Sequence, residues 1–371
     1  MSTPTAAPTD TARASGGLPP PWRLPLLVLG FAGLAAGAGA GLARLGWLVP
    51  DLAASAAALH GPLMICGFFG VVISLERAVA IGRLWAYAGP LLAGLGGAAA
   101  IAGLTSIAQV LLVAGSFVFL AASIDVLRRQ PALFTFTLVL GAACWLAGNL
   151  LWAAGGTIHD VVTWWLAFLI LTIAGERLEL SRFLPPSPVA KRAFGAILAV
   201  IVAGLVGAAQ PWGAKVFAAG LLALAAWLLK QDIARRTVRK RGLTRYIAVC
   251  LLSGYFWLAV GAATILAAGD FAPGTRAYDA AVHALALGFV FSMVFGHAPI
   301  IFPAVLRVAV PYTPAFYGPL ALLHASVALR LAGDASGMFE LVRVGGLLNA
   351  IALAAFILGT AGVVVRGRRV G

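Results

Sequence analysis

AAALHGPLMICGFFGVVISLERAV, residues 56–79, carries no Asp, Glu, Lys or Arg until Glu76-Arg77 near its end. A helix rises ~1.5 Å per residue, so ~20 mostly apolar residues span the hydrocarbon layer of a membrane. Such runs recur along the whole chain. Twelve are predicted, over 24–45, 56–79, 86–107, 109–127, 132–154, 158–181, 192–209, 214–230, 246–268, 279–303, 314–333 and 341–364. The fold class is therefore all-α, a polytopic membrane protein with twelve transmembrane helices. Residues 1–22, rich in Pro, Ala, Thr and Ser with no apolar core, read as a disordered cytoplasmic tail. Residues 23–371 form one transmembrane helical domain.

Composition agrees. Of 371 residues, 62% are hydrophobic and 10% charged, against roughly a quarter charged in soluble domains. The 44 glycines are scattered through apolar runs, where small residues let helices approach closely in lipid. A net charge of +14 in a soluble chain would suggest nucleic acid. Here the basic residues sit in short loops, so they orient the helices and no nucleic-acid partner is expected. On the twelve-span map, 21 of the 26 basic residues fall on one side, leaving Arg44, Lys215, Arg276, Arg330 and Arg343 on the other. The positive-inside rule then places both termini in the cytoplasm of a bacterial-type inner membrane. The largest basic run, Lys230 to Arg245, joins the eighth and ninth spans. Cys66, Cys144 and Cys250 lie apart in apolar runs, so neither a disulfide nor a structural zinc site is expected.

Three of the five histidines open a span at its outer end, four spans apart: His60 the second, His159 the sixth and His283 the tenth. The second and sixth spans also end alike, on Glu76-Arg77 and Glu176-Arg177. This repeat points to three four-helix arcs. An unpaired histidine in a membrane is costly, so three at equal depth suggest a site. On an α-helix Met64 lies one turn below His60, and Asp279 one turn above His283, where it could orient the imidazole. His297 sits fourteen residues after His283, ~21 Å further along an α-helix and ~40° around it. Met293 lies one turn before it, and Pro299 follows. His324 is mid-span without such neighbours. Glu76, Asp125, Glu176 and Glu179 all fall near span ends, which disfavours proton pumping or ion-coupled transport through a mid-membrane carboxylate.

Twelve spans, three arcs, and histidines on the second, sixth and tenth helices resemble subunit I of the haem-copper oxidases. Within that superfamily, Leu59-His-Gly-Pro-Leu-Met-Ile-Cys-Gly-Phe-Phe69 and His283-Ala-Leu-Ala-Leu-Gly-Phe-Val-Phe-Ser-Met293 are most similar to the NnrS family. The topological likeness covers essentially the whole chain, the local likeness only these two helices. It implies an inner-membrane protein that binds haem, b-type by expectation, and possible copper, acting in nitric oxide stress or electron transfer. His60 and His283 match the positions that hold metal or haem. The oxygen-reducing dinuclear centre needs several histidines on the sixth and seventh helices and a close pair on the tenth. These are missing here, so any turnover would be oxidoreductase chemistry of another kind.

The expected cofactor residues are thus His60, His283 and His297, and the expected metal ligands His60, His159, His283, His297, Met64 and Met293. Expected partners are the lipid bilayer and a small molecule such as nitric oxide, while these residues identify no redox partner. An alternative from another class is a copper-handling transporter or chaperone using His60–Met64 and Met293–His297, since imidazole and thioether together suit copper. A third reading is a structural membrane protein whose histidines are interfacial.

Overall fold

The computed structural model describes residues 17–180 and 186–369, which fold as helices joined by short turns, with no strand among the described residues. Twelve helices are long and apolar enough to cross a membrane: Pro20–Arg44, Ala57–Ile81, Leu84–Ile101, Thr105–Arg129, Leu133–Ala153, Ile158–Leu180, Pro188–Val206, Gly213–Gln231, Gly242–Ala268, Arg276–Leu306, Pro314–Ser336 and Phe339–Arg366. The protein is an all-α, multi-pass membrane protein. In lipid no water satisfies a backbone N–H or C=O, so apolar runs of this length close their hydrogen bonds within helices.

Two predicted boundaries are corrected. The tail over 1–22 falls mostly outside the described residues, and the first helix already begins at Pro20. Proline suits a first helical position because its φ is fixed and no N–H is needed there. Arg23 follows, buried, donating through Nε to the Leu18 carbonyl and through Nη1 to Val305 at the end of the tenth span, each at 2.7 Å. The turn between the third and fourth spans lies at Ala102–Leu104, ahead of its predicted place between 107 and 109. Gly103, at φ +77°, makes it, a left-handed conformation that glycine alone adopts without penalty. An Ala-Gly-Leu turn is itself apolar, so hydropathy does not register it.

Each span packs chiefly on its neighbours in sequence, while the second, sixth and tenth meet at the centre of the bundle. Phe68 of the second span stacks on Phe291 of the tenth at 6.1 Å and 4°, and Phe69 touches the same ring at 5.1 Å. The three spans whose histidines recur at an interval of four spans in the sequence are thus the ones that meet.

A buried polar knot ties this centre to the fourth and fifth spans. Asn149 accepts from Trp165 Nε1 at 3.0 Å and donates to the Leu112 carbonyl at 3.1 Å. Cys66 Sγ lies 3.4 Å from its Oδ1 and accepts from Trp145 Nε1 at 3.4 Å. All three cysteines are free and buried. Asn149→Ala strands the Trp165 N–H in an apolar interior. The variant should lose ~1–3 kcal/mol, read as a lower melting temperature of the detergent-purified protein.

Both central spans leave α geometry near their histidines. Leu63–Phe69 and Ala284–Phe291 are π-helical, a rare form with i→i+5 hydrogen bonds that is often found at functional sites. A π turn takes more residues than an α turn. The α-helical phase relation expected for His283 with His297 therefore does not hold across Ala284–Phe291, whereas His60 and Met64 still face the first span and one cavity together.

Candidate functional site

His60 and His283 stand just before the two π segments and face each other, ring centres 6.4 Å apart and planes inclined by 20°. His60 Nδ1 lies 2.7 Å from the Gly37 carbonyl of the first span, and His283 Nδ1 lies 2.8 Å from the Asp279 carbonyl one turn back. A carbonyl only accepts, so each Nδ1 carries the hydrogen and each Nε2 keeps its lone pair. Neither Nε2 has a hydrogen-bond partner among the described residues. The first span reaches His60 this closely because residue 41 is glycine: a Cβ there would come within 2.8 Å of the imidazole.

At His283 the main chain of Asp279 does more of the orienting than its carboxylate. That carboxylate reaches Nδ1 only at 3.3 Å, and Arg330 holds both its oxygens at 2.8 Å. Arg330 is buried in the eleventh span. It serves as an ion-pair partner, a correction to its place among the outer loop charges. Asp160 accepts from the backbone N–H and hydroxyl of Thr157 and faces outward, away from the histidine pair.

A cavity of about 490 Å³ opens around the pair. Met64, Ile65, Phe69 and Phe291 give it apolar walls. Exposed Arg44, Arg276 and His159 line its open side, and His159 Nδ1 lies 3.2 Å from the Tyr278 hydroxyl. Neither Arg44 nor Arg276 has an ion-pair partner among the described residues. Asp334 and Asn349, 7% and 4% exposed, also line the cavity, and Asp334 Oδ2 and Asn349 Nδ2 find no partner. The sequence singled out neither, because each looks like an isolated polar residue among apolar neighbours.

The remaining candidates lie elsewhere. His297 does not line this cavity. Its Nδ1 donates to the Met293 carbonyl at 2.7 Å, and its Nε2 lies 3.5 Å from Arg177 Nη1. A guanidinium in that position would have to move before a cation could bind. The Met293 thioether methyl packs on the ninth span, where a Cβ at Gly254 would lie 2.2 Å from it. His324 Nδ1 accepts from Trp257 Nε1 at 2.9 Å, and its buried Nε2 is unpartnered.

Arg177, 6% exposed, makes a two-pronged pair with Asp232 at 2.7 and 3.0 Å. Asp232 also accepts from the Tyr255 hydroxyl at 2.6 Å and from the Ala234 N–H at 2.8 Å. Burial alone would raise this carboxyl, yet Arg177, Tyr255 and the Ala234 N–H together hold it below the usual aspartate range. The two Glu-Arg pairs are thus not equivalent. Arg177 engages Asp232, whereas Arg77 Nε is buried without a partner.

Among the described residues, no three His, Cys, Asp or Glu side chains converge on one metal position. What the geometry offers is a two-imidazole site in an apolar cavity with cationic residues at its mouth.

Residues 23–365 match the model of a family described as a domain of unknown function, DUF8744. The chain belongs to that family. The match runs from the first span into the twelfth, so the DUF8744 unit here is the whole bundle and contains both His60 and His283. Among curated proteins, none matches this DUF8744 chain in sequence.

Proposed function

We propose that this protein is a membrane haem protein of the NnrS-like kind, acting in nitric oxide stress or electron transfer, with His60 and His283 as axial ligands of one haem. The facing imidazole pair carries this reading. The ring centres stand 6.4 Å apart and neither Nε2 is spent on a hydrogen bond among the described residues, so both would be free to hold one metal between them. The Nδ1 hydrogen bonds to carbonyls hold both rings in the tautomer that a ligand needs, with the Nε2 lone pair free.

The surroundings fit the group. The apolar walls suit a porphyrin face, and Arg44 and Arg276 at the open side suit its carboxylates. Bound there, a haem would supply reversible one-electron chemistry, tuned by its axial imidazoles and the polarity around them. The chain's own part is to bind, orient and shield. The supporting test is stoichiometry: one haem per chain, assayed after denaturation, in protein expressed with a haem supply. Less than about a tenth of that loading would overturn the reading.

Copper is the second reading, supported by Met64, which lines the same cavity as His60. Elemental analysis separates the two. Copper at one equivalent without haem would favour a copper-handling transporter or chaperone.

His297 is read here as structural, because both its ring nitrogens already have partners. His297→Ala should lower the melting temperature while leaving the haem content unchanged, both measured on one preparation.

Both termini are placed in the cytoplasm of a bacterial inner membrane. Reporter fusions after Arg129, Arg241 and Arg369 should read cytoplasmic, and those at Gly155 and Asp270 external. A cytoplasmic signal at Asp270 would reverse the assignment of the histidine cavity to the outer side.

A further inference from the structure

At the opposite end of the bundle from the histidine pair, a second cavity of about 490 Å³ lies between the start of the ninth span and the segment leading into the eleventh. Arg241, Gly242, Arg245, Val249, Tyr312 and Tyr317 line it. No carboxylate is among them, and neither arginine has an ion-pair partner among the described residues. Its polar lining is therefore two guanidinium forks and two phenol hydroxyls. Arg241 leaves the first turn of the ninth span without a side-chain cap, so unpaired N–H groups lie at the same end. Tyr246 stands behind, fully buried and edge-on to Tyr317 at 5.2 Å.

We propose that this cavity holds the phosphate of an anionic membrane lipid. Two positive charges with no neutralising acid exclude a cation and select an oxyanion, and arginine matches phosphate in two-pronged geometry. The cavity is an open depression at the surface, with Arg241 and Arg245 exposed, so a headgroup can reach it from the lipid side. Depth decides the source. The cavity lies where the ninth and eleventh spans begin, at headgroup level, where arginine clusters meet anionic lipids. Val249 supplies an apolar wall for the glycerol end.

The test uses the full-length protein in detergent, comparing protection against thermal unfolding by phosphatidylglycerol, phosphatidylcholine and inorganic phosphate. Phosphatidylglycerol should act at a concentration at least tenfold lower than phosphatidylcholine, and millimolar phosphate should not reproduce the effect. Arg241→Gln with Arg245→Gln should erase that preference. Arg235→Gln with Arg236→Gln removes equal charge from the same basic run outside the cavity and should preserve it. Should the double arginine variant be unstable, Tyr317→Phe should weaken the preference several-fold in an intact bundle. Equal action of the two lipids, equal loss in both double variants, or protection by inorganic phosphate alone would each overturn the proposal.

Discussion

His60→Ala and His283→Ala are each expected to abolish the low-spin haem spectrum of the purified protein while leaving it inserted and monodisperse. Either variant would leave one imidazole on one side of the cavity, so a haem held by the proposed pair would lose one of its two protein ligands. Retention should then fall by more than the ~10–100-fold that loss of an outer-shell partner costs. Gly41→Ala provides an independent check, since it removes no ligand. Its new methyl would lie 2.8 Å from the His60 ring and must push the imidazole off line. Haem affinity should then fall while the residual bound fraction stays low-spin. Full haem content in both histidine variants would refute ligation by this pair.

Asp232→Ala should cost the protein ~3–5 kcal/mol, because it leaves the Arg177 guanidinium buried and uncompensated. A melting-temperature shift in detergent reads this directly. Arg177→Met with Asp232→Leu, which removes both charges, should recover much of the loss, since hydrophobic replacement of a buried pair is often neutral or stabilising. The acid dependence follows from the carboxyl being held below its usual range. Its contribution is complete above about pH 4, the unfolded aspartate range, and is lost as pH falls through the lower folded value. A wild-type melting curve should therefore fall more steeply below pH 4 than that of the doubly substituted protein.

The twelve spans were legible because length and apolarity are all that crossing a bilayer demands. So was the spacing of His60, His159 and His283, since it survives as an interval in the chain. The family resemblance already singled out His60 and His283 as the pair, and these two face each other across the cavity, while His159, expected only as a further metal ligand, sits on its exposed rim beside Tyr278. The π segments could not be foreseen, because an α period of 3.6 was assumed throughout. Arg330 looked like a loop charge and Arg177 like half of a Glu-Arg pair, since an ion pair between distant helices leaves no local pattern. Asp232 was hidden for the same reason among the basic residues that follow it. Asn149, Asp334 and Asn349 stand alone in their segments, and only the packed structure gives them neighbours.

The most direct test of the central claim is low-temperature electron paramagnetic resonance on the oxidised, haem-loaded protein. Two neutral imidazoles with nearly parallel planes, 20° apart, predict a rhombic low-spin ferric signal accounting for one haem per chain, absent in both His60→Ala and His283→Ala. A purely high-spin signal in the wild-type protein, or a low-spin signal that survives in both variants, would contradict it.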